Sequence, residues 1–210
     1  MVFFNRQGRG RALLPAAALA VAGILGCGGG NGDWIDPGVN PTPGGGSLET
    51  VPLGGLKWMK KNLNVPTEDS WCYDGITANC NKYGRLYTWE AAKRACQSVG
   101  KRLPTNAEWD ALVTAAGGAS TAGNKLKARS GWYNNGNGTD QYGFSALPGG
   151  CRVSDGSFYD AGYYGYWWAA AENDGSVAYL RNMYYLNDYV DEYYYNYVKS
   201  GGYSVRCVKD

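Results

Sequence analysis

The stretch from Tyr83 to Ala116, YGRLYTWEAAKRACQSVGKRLPTNAEWDALVTAA, constrains the fold more than any other part of the chain. Trp89, Ala92, Cys96 and Val99 recur at helical spacing, and Gly100 ends the run. Thr105 and Glu108 then form a capping box, in which hydroxyl and carboxylate each satisfy an unpaired amide at a helix start. Trp109, Leu112, Val113 and Ala116 fall at i, i+3, i+4 and i+7, and Gly117 closes the element. The stretch reads as two short amphipathic helices joined by a tight connection through Pro104. No other segment beyond the N-terminal leader carries a comparable helical signal. The chain after Gly117 reads as strand and loop, so the pair is expected to supply the helical half of one core.

The leader is residues 1–26. Arg6, Arg9 and Arg11 form a basic stretch without an acid, and Ala12 to Gly26 is an apolar run of 15 residues. That is too short for a membrane span and suits a secretory signal. The run ends Ile24-Leu25-Gly26-Cys27, which resembles the lipobox of bacterial lipoproteins, with Ile24 in place of the commoner Leu. The resemblance implies an acylated Cys27 as the new N-terminus. Several buried acyl chains anchor a domain stably where one binds only marginally. The alternative is plain secretion with Cys27 incidental. Gly28 follows the Cys and no inner-membrane retention Asp is present, so the outer membrane or cell surface is expected.

Processing changes the charge. The precursor has 20 basic and 18 acidic residues, and removing three Arg leaves 17 against 18. A near-neutral domain without a basic stripe argues against a nucleic-acid partner. Residues 27–47 hold the acylated Cys and a Gly/Pro/Asn-rich linker, which cannot bury enough apolar surface to fold alone. Residues 48–210 are left as one domain with a sizeable core. Within it, Leu56, Trp58 and Leu63 suggest an early strand or hairpin. Cys72 and Cys80 flank a polar loop. The segment 117–143 is loop-rich, with Leu126 and Trp132 as anchors. Val177, Tyr179 and Arg181 alternate with Ala178, Leu180 and Asn182, as in a strand, and Tyr203, Val205 and Cys207 share one face of a last one.

Besides Cys27 there are five cysteines, and an exported setting favours disulfides. An odd number leaves one thiol over. The pairing adopted is Cys72–Cys80 across the local loop and Cys96–Cys207 from the first helix to the last strand, with Cys151 left over. The long bridge would stabilise by about 4–5 kcal/mol in the chain-entropy model. No C-x-x-C pair exists, which argues against zinc.

Trp58-Met59…Asn62-Leu63, Cys72-Tyr73, the run from Tyr83 to Trp89, Arg102-Leu103-Pro104-Thr105…Glu108-Trp109, the run from Gly143 to Gly150, Tyr166-Trp167-Trp168 and Ser204-Val205-Arg206-Cys207-Val208 together resemble the Fibrobacter succinogenes major paralogous domain. The likeness spans Val51 to Asp210. That family is similar to the formylglycine-generating enzymes, which share R-L-P-T-x-x-E-W, and both resemble the C-type lectin architecture. The resemblance implies an α+β fold, with two helices beside a twisted antiparallel sheet carrying long irregular loops. It also supports Cys96–Cys207, since lectin-like folds tie the first helix to the last strand. The family's biochemical role is not implied by the motifs.

Histidine is absent, which removes Ser-His-Asp and Cys-His catalysis and His-metal sites. Cys151 lies beside Arg152, but a lone buried thiol is the plainer reading. Formylglycine-generating enzymes use a C-terminal Cys pair, and here only Cys207 lies beyond Cys151. Asp188, Asp191 and Glu192, or Asp155 and Asp160, offer carboxylates for glycoside hydrolysis, yet no spacing sets two of them across one sugar. The run from Asn134 to Asp140 and the trio Glu172-Asn173-Asp174 offer oxygens to calcium without the acidic spacing of an EF-hand or the Trp-Asn-Asp form of a lectin site. No cofactor is expected, and calcium is the one alternative held open.

The unusual feature is aromatic: 12 of 18 tyrosines lie between Tyr163 and Tyr203. Tyrosine offers a flat apolar face and a polar tip, which suits sugar stacking and protein recognition. Sheet packing is the plainer use. In a strand, however, Tyr193, Tyr194 and Tyr195 cannot all face one core. The expected recognition surface is Tyr184, Tyr185, Tyr189, Tyr193, Tyr194, Tyr195 and Tyr197, with Asn187 and Asp188 as hydrogen-bonders. The sequence thus leads to a membrane-anchored surface lipoprotein with a non-catalytic domain. Its expected ligand is a glycan or cell-wall polysaccharide, with a surface protein second. The rival classes are a formylglycine-generating-like enzyme, a carboxylate hydrolase and a structural surface component.

Overall fold

Gly54 and Gly55 both adopt positive φ, which turns β1 (Thr50–Leu53) back onto β2 (Leu56–Met59) in a tight hairpin. A Cβ at Gly54 would lie 2.7 Å from the amide of Leu112, so this hairpin packs directly on a helix. The computed structural model describes residues 48–193 and 198–209. The leader, Cys27 and the linker lie outside the described residues, as do Tyr194, Tyr195, Tyr197 and Asp210.

Beyond the hairpin come β3 (Ser70–Trp71), α1 (Thr77–Tyr83) and β4 (Leu86–Tyr87). The two amphipathic helices are next, as α2 (Trp89–Ser98) and α3 (Asn106–Ala115), and then α4 (Ala122–Leu126). The C-terminal half supplies β5 (Gly149–Arg152), β6 (Phe158–Ala161), β7 (Tyr164–Glu172), β8 (Ala178–Tyr184), β9 (Asp191–Tyr193) and β10 (Val208–Lys209). The fold is α+β. Its main sheet has the order β6-β5-β7-β8-β9, while β1, β2 and β10 form a second sheet and β3 and β4 a third. The main sheet is not wholly antiparallel, because β5 and β7 run parallel through Gly150 and Gly165. Glycine lets the three strands close up here: a Cβ at Gly150 would lie 2.3 Å from the carbonyl oxygen of Tyr159 on β6, and one at Gly165 2.9 Å from the carbonyl oxygen of Leu147. Among the described residues no helix is long and apolar enough to cross a membrane.

Trp167 and Trp168 explain the layering. Neighbours in a strand face opposite ways, yet both are 0 % exposed. Strand β7 with its antiparallel partner β8 is therefore covered on both faces. One face carries Trp58, Trp109, Leu112, Phe144, Trp167 and Met183; the other carries Tyr87, Ala92, Cys96, Trp168, Leu180 and Val205. The expectation of one shared core is corrected here, since α3 belongs to the first cluster and α2 to the second. The short helices α1 and α4 were not expected either. Both are too short to persist alone. The Cys72–Cys80 bridge staples α1, and α4 is docked on the backbone of Asp188, whose carbonyl accepts from the Gly123 amide at 2.8 Å. Cys96–Cys207 closes a 111-residue span and ties α2 to the chain end, worth about 5 kcal/mol in the chain-entropy model.

The helix starts are as the residues dictate. Thr88 caps α2 through the Ala91 amide, and the Thr105–Glu108 box caps α3. Arg102 donates two bonds to the Glu108 carboxylate, at 2.7 and 2.8 Å. The Arg102 hydrogen bond holds the Glu108 carboxyl below its usual range; burial opposes this and the Thr105 amide reinforces it. A depressed folded-state pKa contributes stability that is present above the unfolded pKa and is lost as pH falls through the folded one. Glu108→Gln should therefore destabilise by on the order of 1 kcal/mol near neutral pH. The gap from wild type should close as pH falls below the ordinary glutamate range. Urea denaturation across acid pH checks this, and a gap independent of pH would contradict it.

Candidate functional site

Where β7 begins and β8 ends, tyrosines from three segments converge. Tyr164 opens β7 and pairs across the ladder with Tyr184 at the end of β8. The Tyr185 amide donates to the Tyr163 carbonyl at 3.0 Å, and the Tyr133 amide donates to the Gly162 carbonyl at 2.8 Å. Tyr133 lies in the 3-10 turn Tyr133–Asn135, where Asn134 and Asn135 adopt positive φ. Gly136 lets that loop close on the sheet, because a Cβ there would lie 2.4 Å from the Tyr185 carbonyl oxygen.

The turn after β8 is pinned from below. Lys127 is 1 % exposed, and its ammonium donates at 2.6 Å to the carbonyls of both Tyr184 and Asn187. It also sits 4.9 Å from the centre of the Trp132 ring. Burial pulls its pKa down to about 8, partly opposed by the Asp188 charge. Gly123 holds the Asp188 carbonyl, and the Val190 amide donates to Ala119.

The rings form one connected set. Tyr133 and Tyr163 stack at 4.5 Å and 29°, and Tyr185 meets both edge-on at 5.5 Å. Tyr184 meets Tyr185 edge-on at 4.7 Å and stacks on Tyr164 at 4.3 Å. Tyr133 is 52 % exposed and Tyr163 40 %, while Tyr164, Tyr184 and Tyr185 are half-buried. The Tyr184 hydrogen bond raises the Tyr185 hydroxyl's pKa above its usual value; desolvation and then Tyr133 raise that of Tyr163. Tyr163 and Tyr185 therefore keep their hydroxyl protons at neutral pH.

Of the residues expected from sequence, Tyr184 and Tyr185 belong to this platform. Tyr189 is exposed but makes no ring contact among the described residues. The Asn187 side chain accepts from the Tyr189 amide, so it shapes the turn. Asp188 is exposed, and its carbonyl docks α4. Tyr193 lies in β9, where its backbone pairs with Leu180. Tyr133 and Tyr163 were missed. Nothing local in sequence marks two tyrosines 30 residues apart as a stacked pair, although Tyr163 lies within the Tyr-rich segment.

A family model described as the Fibrobacter succinogenes major domain matches residues 51–209. The chain belongs to this family. No curated protein and no solved structure matches it. Many residues that carry the family likeness are used inside this Fibrobacter succinogenes major domain. Trp58, Trp109, Trp167 and Trp168 are core residues. The fully buried Arg206 donates to the Asn62 side chain at 2.7 Å and to the carbonyls of Met59, Phe144 and Ser145. These residues thus build the scaffold, whereas the rings of Tyr133 and Tyr163 are exposed.

Most of the other candidate groups are engaged locally. Asp155 accepts from the Ser157 amide, Asp160 from the Tyr166 hydroxyl, and Glu192 from Arg181 at 2.7 Å. Burial raises the pKa of Asp191. In the two oxygen-rich loops, Asp140 accepts from Ser145, Asp174 from the Ser176 and Val177 amides, and Glu172 pairs with Lys199. Among the described residues no group of three or more carboxylates and thiols is arranged to hold a metal.

Cys151 is free and buried. Burial, then the Asp160 charge, pushes its thiol up to about 12, and the Arg152 guanidinium stacks 3.9 Å over the Trp71 ring. A thiol that stays protonated is a poor nucleophile. In a domain beginning after Cys27, Cys151 should resist a thiol reagent at mildly alkaline pH while folded. It should react, alone, once the chain is unfolded without reduction. A second reactive thiol would contradict the two bridges, and rapid labelling of the folded domain would contradict the burial.

Proposed function

We propose that this domain is a non-catalytic recognition module that binds glycan, chiefly polysaccharide, on the tyrosine platform. The observation that carries the reading is the exposed Tyr133–Tyr163 stack braced by the edge of Tyr185. Rings already stacked on each other lose little freedom when a flat sugar face settles on them. The hydroxyl rims supply hydrogen bonds at the edge of the same apolar surface. Lys127 and α4 hold the turn beneath, so the platform exists before the ligand arrives. A C-type lectin-like architecture belongs to the same reading. Support comes from the two capped helices, the five-stranded sheet and the Cys96–Cys207 tie.

The basic, apolar leader and the Cys27 lipobox support export and a lipid anchor at the outer membrane or cell surface, with residues 28–47 as tether. A surface protein partner is the second reading. It is favoured by Leu186, 62 % exposed between Tyr185 and the exposed Tyr189 on one turn. The hydrolase and oxidase readings draw less support, since Asp155, Asp160 and Glu192 are engaged in local bonds and Cys151 is buried.

The double variant Tyr133→Ala/Tyr163→Ala should weaken binding to insoluble polysaccharide by about tenfold or more, a loss on the order of 1.4 kcal/mol. Its thermal midpoint should stay close to wild type, because both rings are largely outside the core. Pull-down isotherms and a thermal melt check the two halves. Unchanged retention by the variant would remove the platform from the account. A wild-type domain that binds no polysaccharide but gains a protein partner, lost in the same variant, would favour the second reading.

A further inference from the structure

A second surface feature borders Leu147. It is an open cleft of about 490 Å³, walled by the segment after β2, the end of α1 and the loop before β5. The walls are brought together by glycine: a Cβ at Gly84 would lie 2.7 Å from the Cβ of Asn62. Its charge is one-sided. Lys60, Lys61 and Lys82 line it against a single acid, Glu49. Glu49 is committed to Lys60, 3.3 Å away. Lys61 and Lys82 make no ion pair among the described residues, and Lys82 is carried 4.5 Å over the Tyr83 ring. The exposed amides of Asn64 and Asn81 line the same cleft and make no hydrogen bond among the described residues. The acceptors at the end of α1 are already used, because the Asn62 amide donates to the Tyr83 carbonyl and the Gly84 amide to the Cys80 carbonyl. The cleft therefore presents unengaged cations and amide donors, the chemistry that recognises an oxyanion.

The cleft is also near the platform. Leu147 lines it. The next residue, Pro148, accepts from the Gly162 amide at 2.9 Å, and Gly162 in turn accepts from the Tyr133 amide. Two such steps put the Pro148 backbone, next to the Leu147 wall of the cleft, at most about 10 Å from the Tyr133 backbone at the usual spacing of hydrogen-bonded chains, a span that a short oligosaccharide covers.

We propose that this cleft binds the anionic groups of an acidic polysaccharide whose neighbouring sugars stack on the tyrosines. The inference rests on the glycan reading above and adds the ligand's charge. The oxyanion is a uronate carboxylate or a sulfate ester. Cations placed beside a sugar-stacking surface let it select acidic chains over neutral ones, and the lysine contribution falls as salt rises.

The test measures binding of the purified domain to four glycans: polygalacturonate, its methyl ester, a sulfated galactan and a neutral β-glucan. Wild type, Lys61→Gln/Lys82→Gln and Tyr133→Ala/Tyr163→Ala are compared. Wild type should prefer an acidic chain to the uncharged ones by about tenfold, and the lysine variant should lose that preference while keeping its neutral-glycan affinity. Preference for polygalacturonate over the sulfated chain identifies the carboxylate, and the reverse identifies the sulfate ester. Both exposed lysines lie outside the core, so the variant should fold, and its melt verifies this. Equal affinity of wild type for acidic and neutral chains overturns the cleft and leaves the platform standing. So does an acidic preference that survives in the lysine variant. Acidic-chain binding that is lost in the lysine variant but intact in the tyrosine variant overturns the platform and keeps the cleft as an anion site. Binding of none of the four by wild type overturns both.

Discussion

The structure depends on a buried arginine that forms no ion pair among the described residues. Arg206 is 0 % exposed, and its donors reach the Asn62 side chain and the carbonyls of Met59, Phe144 and Ser145. Asn62 is the other half of the arrangement. Its oxygen accepts from Arg206 and from the Trp167 indole, and its amide donates to the Tyr83 carbonyl and the Ser204 hydroxyl. Residues far apart in the chain are thus held at one point by directional bonds in a low-dielectric interior. Burial pulls the guanidinium's pKa down to about 9, which still leaves it charged at neutral pH. Removing either partner would strand buried polar groups, at a cost of about 3–5 kcal/mol.

The layering is set from that point. Trp167 is fixed toward one cluster by its bond to Asn62, so Trp168 must face the other, where its indole donates to the Tyr87 carbonyl. The β7–β8 pair becomes a wall between two cores, each closed by one amphipathic helix. The Arg102-Leu103-Pro104-Thr105 motif acts at the junction. Its Arg and Thr anchor Glu108 and start α3, and the Pro104 carbonyl accepts from Ala170 on the wall. The ends of β7 and β8 then emerge at a set height, with Tyr163, Tyr164, Tyr184 and Tyr185 around them. The proposed recognition surface is in this sense the exposed end of the same wall.

Local signals in the sequence were reliable where local physics decides. The i, i+3, i+4 spacing and the Thr105–Glu108 box appear as α2 and α3 with their caps. The α+β class follows from the same pattern together with the strand-like C-terminal half, and both bridges join the expected cysteines. What was not legible depends on contacts made across the chain. Helices α1 and α4 exist only because a bridge and a backbone docking hold them. Arginine is a surface residue by default, so nothing near Arg206 announces its burial. The loop from Asn134 to Asp140 offers oxygens in sequence, yet in space Gly136 serves close packing on Tyr185 and Asp140 holds Ser145. The Tyr133–Tyr163 stack, made through the Gly162 turn, has no local signature at all.

The central claim is that ligand meets the molecule on these stacked rings. Its most direct measurement is the NMR response of tyrosine ring protons to added soluble oligosaccharide. The account predicts saturable shifts at Tyr133, Tyr163 and Tyr185, with the buried Tyr87 and Tyr203 unmoved. Saturable binding that leaves the ring protons of Tyr133, Tyr163 and Tyr185 unshifted would contradict it.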